Sequence, residues 1–163
     1  MRALTVAAYG EYARVMAPAA WAGLERALHD ALASVEPVER IVADRGGGAL
    51  VGSVLLYPAA ADAYGGAMGR LRAPEVRLLS VSPEARGLGV GRLLMEECVR
   101  RARAAGAAEL GVHTSRSMRT AMQMYERMGF VRAPGDDFQP EGAEVVEAYR
   151  LRLDHAGAAG ERR

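Results

Sequence analysis

Arg86-Gly-Leu-Gly-Val-Gly-Arg92 is the stretch whose residue types and spacing most clearly imply chemistry. Glycines alternate at Gly87, Gly89 and Gly91 between an apolar run that reads as a strand and an amphipathic run that reads as a helix. Glycine lets backbone N–H groups approach an anion with no Cβ in the way. A helix N-terminus adds about half a positive charge and several unpaired donors. Arg86 and Arg92 can add charge-assisted hydrogen bonds. Residues Arg86, Gly87, Leu88, Gly89, Val90, Gly91 and Arg92 therefore read as a pyrophosphate cradle. A Walker loop needs Gly-Lys-Ser/Thr, and all 21 basic residues of this chain are arginine. A dinucleotide fingerprint wants its third glycine where Arg92 stands and usually sits on the first strand of its fold; here two helices and a hairpin come first.

A second motif, Tyr125-Glu-Arg-Met-Gly-Phe130, lies downstream. With these two stretches the chain resembles the GCN5-related N-acetyltransferase (GNAT) family. Arg86, Gly89 and Gly91 match its Arg/Gln-x-x-Gly-x-Gly/Ala signature, and Tyr125–Phe130 match its Tyr-x-x-x-Gly-Phe signature. The order of elements over residues 1–153 is also the family's. The resemblance implies an α/β fold with a mixed, mostly antiparallel central sheet, helices on both faces and a splayed strand pair at the cofactor site. It implies acetyl-CoA as co-substrate and direct transfer of the acetyl group to a primary amine in a ternary complex. Backbone groups of Leu79, Ser80 and Val81 would meet the pantetheine arm, with the Val81 N–H as oxyanion donor. Tyr125 stands where the family places the general acid for the departing thiolate.

The base has two candidates. Glu75 lies six residues before Val81, where one branch of the family carries a catalytic glutamate. His113 lies on the next strand, near another branch's glutamate, and an imidazole titrating at about 6.5 suits the work. One position departs from the family: Met118 replaces the asparagine common seven residues before the tyrosine, leaving Ser115 and Ser117 as nearby hydroxyls.

These residues need a scaffold, and hydrophobic periodicity outlines one. Thr5 can cap a helix over Ala7–Met16, and Trp21, Leu24, Leu28, Ala31, Leu32 and Val35 mark a second helix ended by Pro37. A hairpin follows, from Arg40–Ala43 through a turn at Arg45–Gly48 to Ala49–Tyr57. Pro58–Pro74 reads as a long loop in which Tyr64 and Arg70 can face a substrate. The strand Val76–Val81 is apolar on both sides, as in a sheet covered on both faces. Val90, Leu93, Leu94, Cys98, Ala102 and Ala105 form the stripe of the helix after the cradle, with Gly106 as its stop. Glu109–Thr114 is a strand, Met118 to Met128 a helix, and Phe130–Arg132 with Val145–Leu153 an antiparallel pair. The reading gives a single domain over 1–153 and a fraying tail over 154–163.

Composition bounds the rest. Half of the 163 residues are apolar and a quarter charged, the balance of a soluble globular domain. One cysteine, Cys98, allows no internal disulfide and fits a cytoplasmic location. Three scattered histidines with that cysteine give no metal-ligand spacing. A net charge of +1 gives no global pull toward nucleic acid or membrane. A nucleic-acid reading rests only on Arg100, Arg101 and Arg103. The main rival function is a non-catalytic acyl-CoA-binding sensor or interaction module. The acceptor, a small-molecule or peptide amine, is not written in the sequence; Asp136, Asp137 and Glu141 hint at an acid-lined cleft for a cationic amine. Dimerisation through the C-terminal strands, common in the family, is a further expectation.

Overall fold

The computed structural model describes residues 1–34, 38–140 and 144–153. Its elements are α1 (Arg2–Gly10), a 3-10 turn at Glu11–Arg14, α2 (Pro18–Ala33), β1 (Glu39–Asp44), β2 (Leu50–Tyr57), β3 (Glu75–Val81), α3 (Val90–Ala104), β4 (Glu109–Ser115), α4 (Arg119–Arg127), β5 (Val131–Arg132) and β6 (Val146–Arg152). The strands form one sheet in the order β1-β2-β3-β4-β6-β5. Only β3 and β4 run parallel; the other neighbours are antiparallel.

β2 shows how the sheet is covered. Its side chains are buried without interruption from Val51 to Tyr57, so both faces are packed. Because alternate residues point to opposite faces, Val54 and Leu56 join Val76, Met95, Cys98 and Tyr125 in one apolar layer beneath α3 and α4. Leu55 and Tyr57 join Leu28, Ala31, Leu71 and Leu78 in the layer beneath α1 and α2. Fully burying a side chain of this size contributes roughly 1.5–3 kcal/mol.

Several local expectations change. Thr5 is no cap: α1 begins at Arg2, so Thr5 falls on its inner face, fully buried, with its hydroxyl 3.0 Å from Ser53 Oγ of β2. The expected Ala7–Met16 helix breaks at Gly10 into the 3-10 turn. α2 starts earlier than its apolar stripe, with Pro18 in its first turn; Val35 and Pro37 lie outside the described residues. In α3 the buried stripe is Leu94, Met95, Cys98, Val99 and Ala102, whereas Leu93 is 63% exposed. Starting at Val90, the helix turns its 94/95/98/99/102 face to the sheet and leaves position 93 outside. The Pro58–Pro74 segment is tied across its neck by Ala60 N–H to Leu71 O (2.8 Å) and Leu71 N–H to Ala61 O (3.0 Å). The expected C-terminal tail and Glu141 lie outside the described residues.

The feature that positions the site is the parting of β3 from β4. They pair only at Glu75–Gly111 and Val76–Val112. On the other edge of β3, Arg77 opposes Leu55 and Ser80 opposes Ser53, so Leu78 and Leu79 together face Val54 alone. This is a β-bulge, which bends the strand and increases its twist. Leu78 takes φ +53° to make it, a conformation costing a leucine roughly 1–3 kcal/mol. Burial of its side chain offsets that cost.

α3 lies close over β2 because Gly52 has no side chain there. A Cβ at Gly52 would stand 2.7 Å from Val90 Cγ1 and 2.9 Å from Leu94 Cδ1. Gly52→Ala should therefore destabilise the protein by about 1–3 kcal/mol in urea unfolding. Val90→Ala should restore room, so the double variant should lose less than the sum of the single losses; strict additivity would contradict this contact.

Candidate active site

The chain enters the cradle from the end of β3. Ser82 N–H bonds Val51 O at 2.9 Å, holding the strand end to β2, and Pro83–Ala85 form a 3-10 turn with Ala85 buried. Gly87 and Gly89 then take φ +74° and +82°, the left-handed region that favours glycine. Gly89 is the N-cap of α3, and no side chain caps the helix. The first amides of α3, Val90, Gly91 and Arg92, thus point out of the helix end as anion donors. At Gly91 a Cβ would meet Val81 Cγ2 and Met124 Sδ at an ordinary 3.6 Å. Alanine therefore fits there, in keeping with a signature that accepts either residue.

The ladder with β2 decides which backbone groups of β3 face the split. Ser82 is hydrogen-bonded to Val51, and bonded pairs alternate along an antiparallel ladder. Ser82 and Ser80 therefore direct their backbone groups to β2, and Val81 and Leu79 direct theirs away from it. The expectation that Ser80 offers unpaired backbone groups is corrected by this alternation. Ser80 is instead buried, with its hydroxyl donating to Leu78 O at 3.0 Å.

Between the parted strands lies a cavity of about 40 Å³ whose lining includes Tyr9, Tyr12, Arg77, His113, Thr114 and Tyr125. The second motif explains how Tyr125 is held. Gly129 takes φ +90°, and Phe130 N–H returns to Tyr125 O at 3.0 Å, the closing bond of a Schellman turn. The two rings then pack with centroids 5.8 Å apart. Thr114 Oγ1 and Ser115 Oγ are buried without a hydrogen-bond partner, while Ser117 is taken by Glu144 at 2.9 Å. Met118 lines the cavity as well.

A model of the acetyltransferase (GNAT) family matches residues 7–130, well over half of the chain. The chain belongs to this family. No curated protein matches the sequence. Among solved structures it resembles a GNAT-family protein from Desulfovibrio desulfuricans, with TM-score 0.63 and 20% identity over 93% of this chain and 92% of that one. It also resembles the ribosomal-protein-S18-alanine N-acetyltransferase of Escherichia coli, with TM-score 0.57 and 17% identity over 85% and 82% of the two chains. A Salmonella typhimurium structure determined with its cofactor acetyl-CoA matches at TM-score 0.54 and 17% identity, over 76% of this chain and 69% of that one. The mixed six-stranded sheet with helices on both faces is thus the GNAT fold.

In this GNAT protein the two cradle arginines are engaged with glutamates. Arg86 pairs with Glu11 at 2.7 Å and Arg92 with Glu96 at 2.7 Å. Both pairs are solvent-exposed, a class worth about 0–1 kcal/mol, so either arginine can exchange its carboxylate for a phosphate at little cost. Arg100 and Arg101, read from sequence as a basic cluster, share Glu97, and Arg101 also reaches Glu39. Those two arginines hold the Glu97 carboxyl down to about 2.

The two base candidates prove to be neighbours. Glu75 Oε1 contacts His113 Nδ1 and accepts from the Tyr64 hydroxyl at 3.0 Å, and Glu75 Oε2 accepts from Arg150 at 2.9 Å. His113 Nε2 lies 3.0 Å from the Asp136 carbonyl oxygen, which can only accept, so this nitrogen donates. His113 and Glu75 consequently share a single proton between Nδ1 and Oε1. Asp136 closes the network through Arg150 at 3.1 Å and Arg72 at 2.8 Å. Asp137 is held by both arms of Arg132 at 2.8 Å, which lowers its pKa. Asp136 and Asp137, expected to line the cleft, are thus neutralised by arginine. Gly111 makes the network possible, because any Cβ there would overlap both Arg150 Nη1 and Glu75 Oε2.

Burial, helped by the neighbouring Tyr9 and Tyr12, raises the Tyr125 pKa well above the ordinary 10. Burial also pushes the Cys98 thiol up to about 12, so it holds no thiolate at neutral pH. A second cavity, about 870 Å³, lies at the far end of the sheet among Val38, Glu39, Pro58, Arg72, Arg101 and Glu109. It is lined by the C-terminal end of α3 and, among the described residues, has no helix N-terminus or parted strand beside it.

Sequence reading missed Tyr9, Tyr12, Arg77 and Arg150. No local pattern marks them, since each reaches the site through packing between elements distant in sequence. Glu75 is about 1% exposed, and removing one member of a buried ion pair typically costs about 3–5 kcal/mol. Glu75→Ala should therefore lower unfolding free energy by that amount in a denaturant titration. A loss below about 1 kcal/mol would show that the network contributes little to the fold.

Proposed function

We propose that the chain transfers an acetyl group from acetyl-CoA to a primary amine by direct attack in a ternary complex. The observation that carries this reading is one juxtaposition: an uncapped, glycine-entered helix N-terminus beside a parted strand pair, with Leu79 and Tyr125 lining one cavity between the strands. Amides of residues 87–92 receive the pyrophosphate, with Arg86 and Arg92 exchanging Glu11 and Glu96 for phosphate oxygens. Backbone groups of Leu79 and Val81 pair with the pantetheine arm, and Thr114 Oγ1 supplies the hydroxyl that Met118 cannot. Membership of the acetyltransferase family supports the donor.

In the reaction the amine nitrogen bonds to the thioester carbon, and the C–S bond breaks. The Val81 N–H stabilises the developing oxyanion, an effect of roughly 3–4 kcal/mol in comparable sites. Tyr125 gives its proton to the departing thiolate, the acylated nitrogen releases one proton to solvent, and Tyr125 is reprotonated from solvent. Glu75 and His113 are committed to each other and to Arg150, Tyr64 and Asp136. Their role in this reading is to hold the cavity wall, and the amine enters already as the free base. Positive charge on that wall, from Arg77, disfavours an ammonium there.

Tyr125→Phe should lower kcat by about 10²-fold or more while acetyl-CoA affinity stays within about twofold, measured by coenzyme A release and calorimetry. Unchanged turnover would remove Tyr125 as the acid. Binding with no release for any amine would favour a sensor module instead. The pH dependence follows from the raised Tyr125 pKa, because the protonated acid persists above pH 10. kcat/KM should therefore rise with pH as the acceptor amine deprotonates and show no falling limb below about pH 10. A descending limb near neutrality would contradict this assignment.

A further inference from the structure

The geometry points to Arg77 as the residue that selects the acceptor, and to an amine bearing a carboxylate as the acceptor it selects. This inference rests on the acetyl-transfer reading of the same cavity. Arg77 stands on β3 just before the bulge, half-buried, and lines the cavity together with Tyr125 and His113. Its guanidinium lies 4.0 Å from the centroid of the Tyr64 ring and 5.8 Å from that of Tyr57. Stacking of this kind fixes the plane of the group and leaves its N–H donors at the rim unspent.

No carboxylate answers that charge. Among the described residues Arg77 makes no ion pair or side-chain hydrogen bond. Each acidic group nearby is already engaged. Glu75 is held by His113, Tyr64 and Arg150, and Asp136 by Arg150 and Arg72. Asp62 accepts from the Tyr64 and Gly66 amides. A half-buried guanidinium with five donors and no partner is an unmet demand for an acceptor. Its planar fork fits a carboxylate through two parallel hydrogen bonds.

The rest of the wall agrees. Among the described residues lining this cavity, Arg77 is the cation without an acidic partner, His113 being paired with Glu75, and no aspartate or glutamate lines it. A polyamine or aminoglycoside would therefore bring its charges against a like-charged wall. A small aminocarboxylate brings the anion that Arg77 lacks, with its amine only a few bonds away, as so small a cavity requires. The hint of a cationic acceptor from Asp136 and Asp137 is thereby reversed, because arginines have neutralised both.

The test uses the full chain with acetyl-CoA and matched acceptors: amino acids, the same amino acids as carboxamides, and a polyamine. The measured quantity is the ratio of kcat/KM for acid over amide, compared between the native protein and Arg77→Met. That comparison cancels the different basicity of the two amines. The ratio should fall about tenfold or more in Arg77→Met, through KM, and Arg77→Lys should recover part of it. Acetyl-CoA affinity should be unchanged in both variants. An unchanged ratio, an equal loss for all acceptors, or a native preference for the polyamine would overturn the inference. Should no amine release coenzyme A, the acetyl-transfer reading fails, and a thermal shift then decides the inference separately. Amino acids, but not their amides, should raise the melting temperature of the acetyl-CoA-loaded native protein and leave that of Arg77→Met unmoved. A shift equal in both proteins would overturn it.

Discussion

β3 and β4 are joined by two residue pairs and then separate, and every part of the site depends on that separation. The bulge at Leu78 bends β3 while β2 keeps hold of its end through Ser82 and Val51. Backbone groups that a regular parallel ladder would satisfy, at Leu79 and Val81, are turned to the opening instead. The chain leaves this bent strand directly into the glycine turn and α3, so strand opening and helix N-terminus share one entrance. An unpaired strand edge and an uncapped helix end are each unfavourable when left without partners. Together they make a surface complementary to a ligand with an extended amide-bearing arm and an anionic tail.

Two glycines without special backbone conformation hold this arrangement in place. Gly52 admits α3 onto β2, and Gly111 admits the Glu75–Arg150 pair across β4. The second matters for the chemistry because Gly111 is also the pairing partner of Glu75, in the first of the two pairs that join the strands before they part. The buried network of Glu75, His113, Arg150 and Asp136 thus sits at the apex of the split. It consumes the acidic groups on this face and leaves Arg77 as the uncompensated charge.

The cradle and the Tyr125–Phe130 turn were legible in the sequence because their geometry is local. Gly87, Gly89 and Gly129 each sit where the backbone needs positive φ, and a Schellman closure spans only a few residues. The sheet was legible for the related reason that burial of β2 on both faces writes itself into a largely apolar run. Thr5 misled because a hydroxyl before an apolar run looks the same whether it caps a helix or bonds Ser53 across the layer. Leu93 misled because the phase of a stripe depends on the packing of α3 against the sheet. Glu75 and His113 were found by position, but their mutual contact depends on strand register, which no local pattern encodes. Arg77 carries no signal of its own, since its meaning lies in the partners it lacks.

Amide hydrogen exchange with and without acetyl-CoA tests most directly whether the opened strand and the helix N-terminus form one acyl-CoA site. Exchange at Val81, Gly89, Val90 and Gly91 should slow together on binding, with Glu39, Arg101 and Glu109 at the far groove unchanged. Protection confined to that far groove, with the cradle and Val81 unaffected, would contradict it.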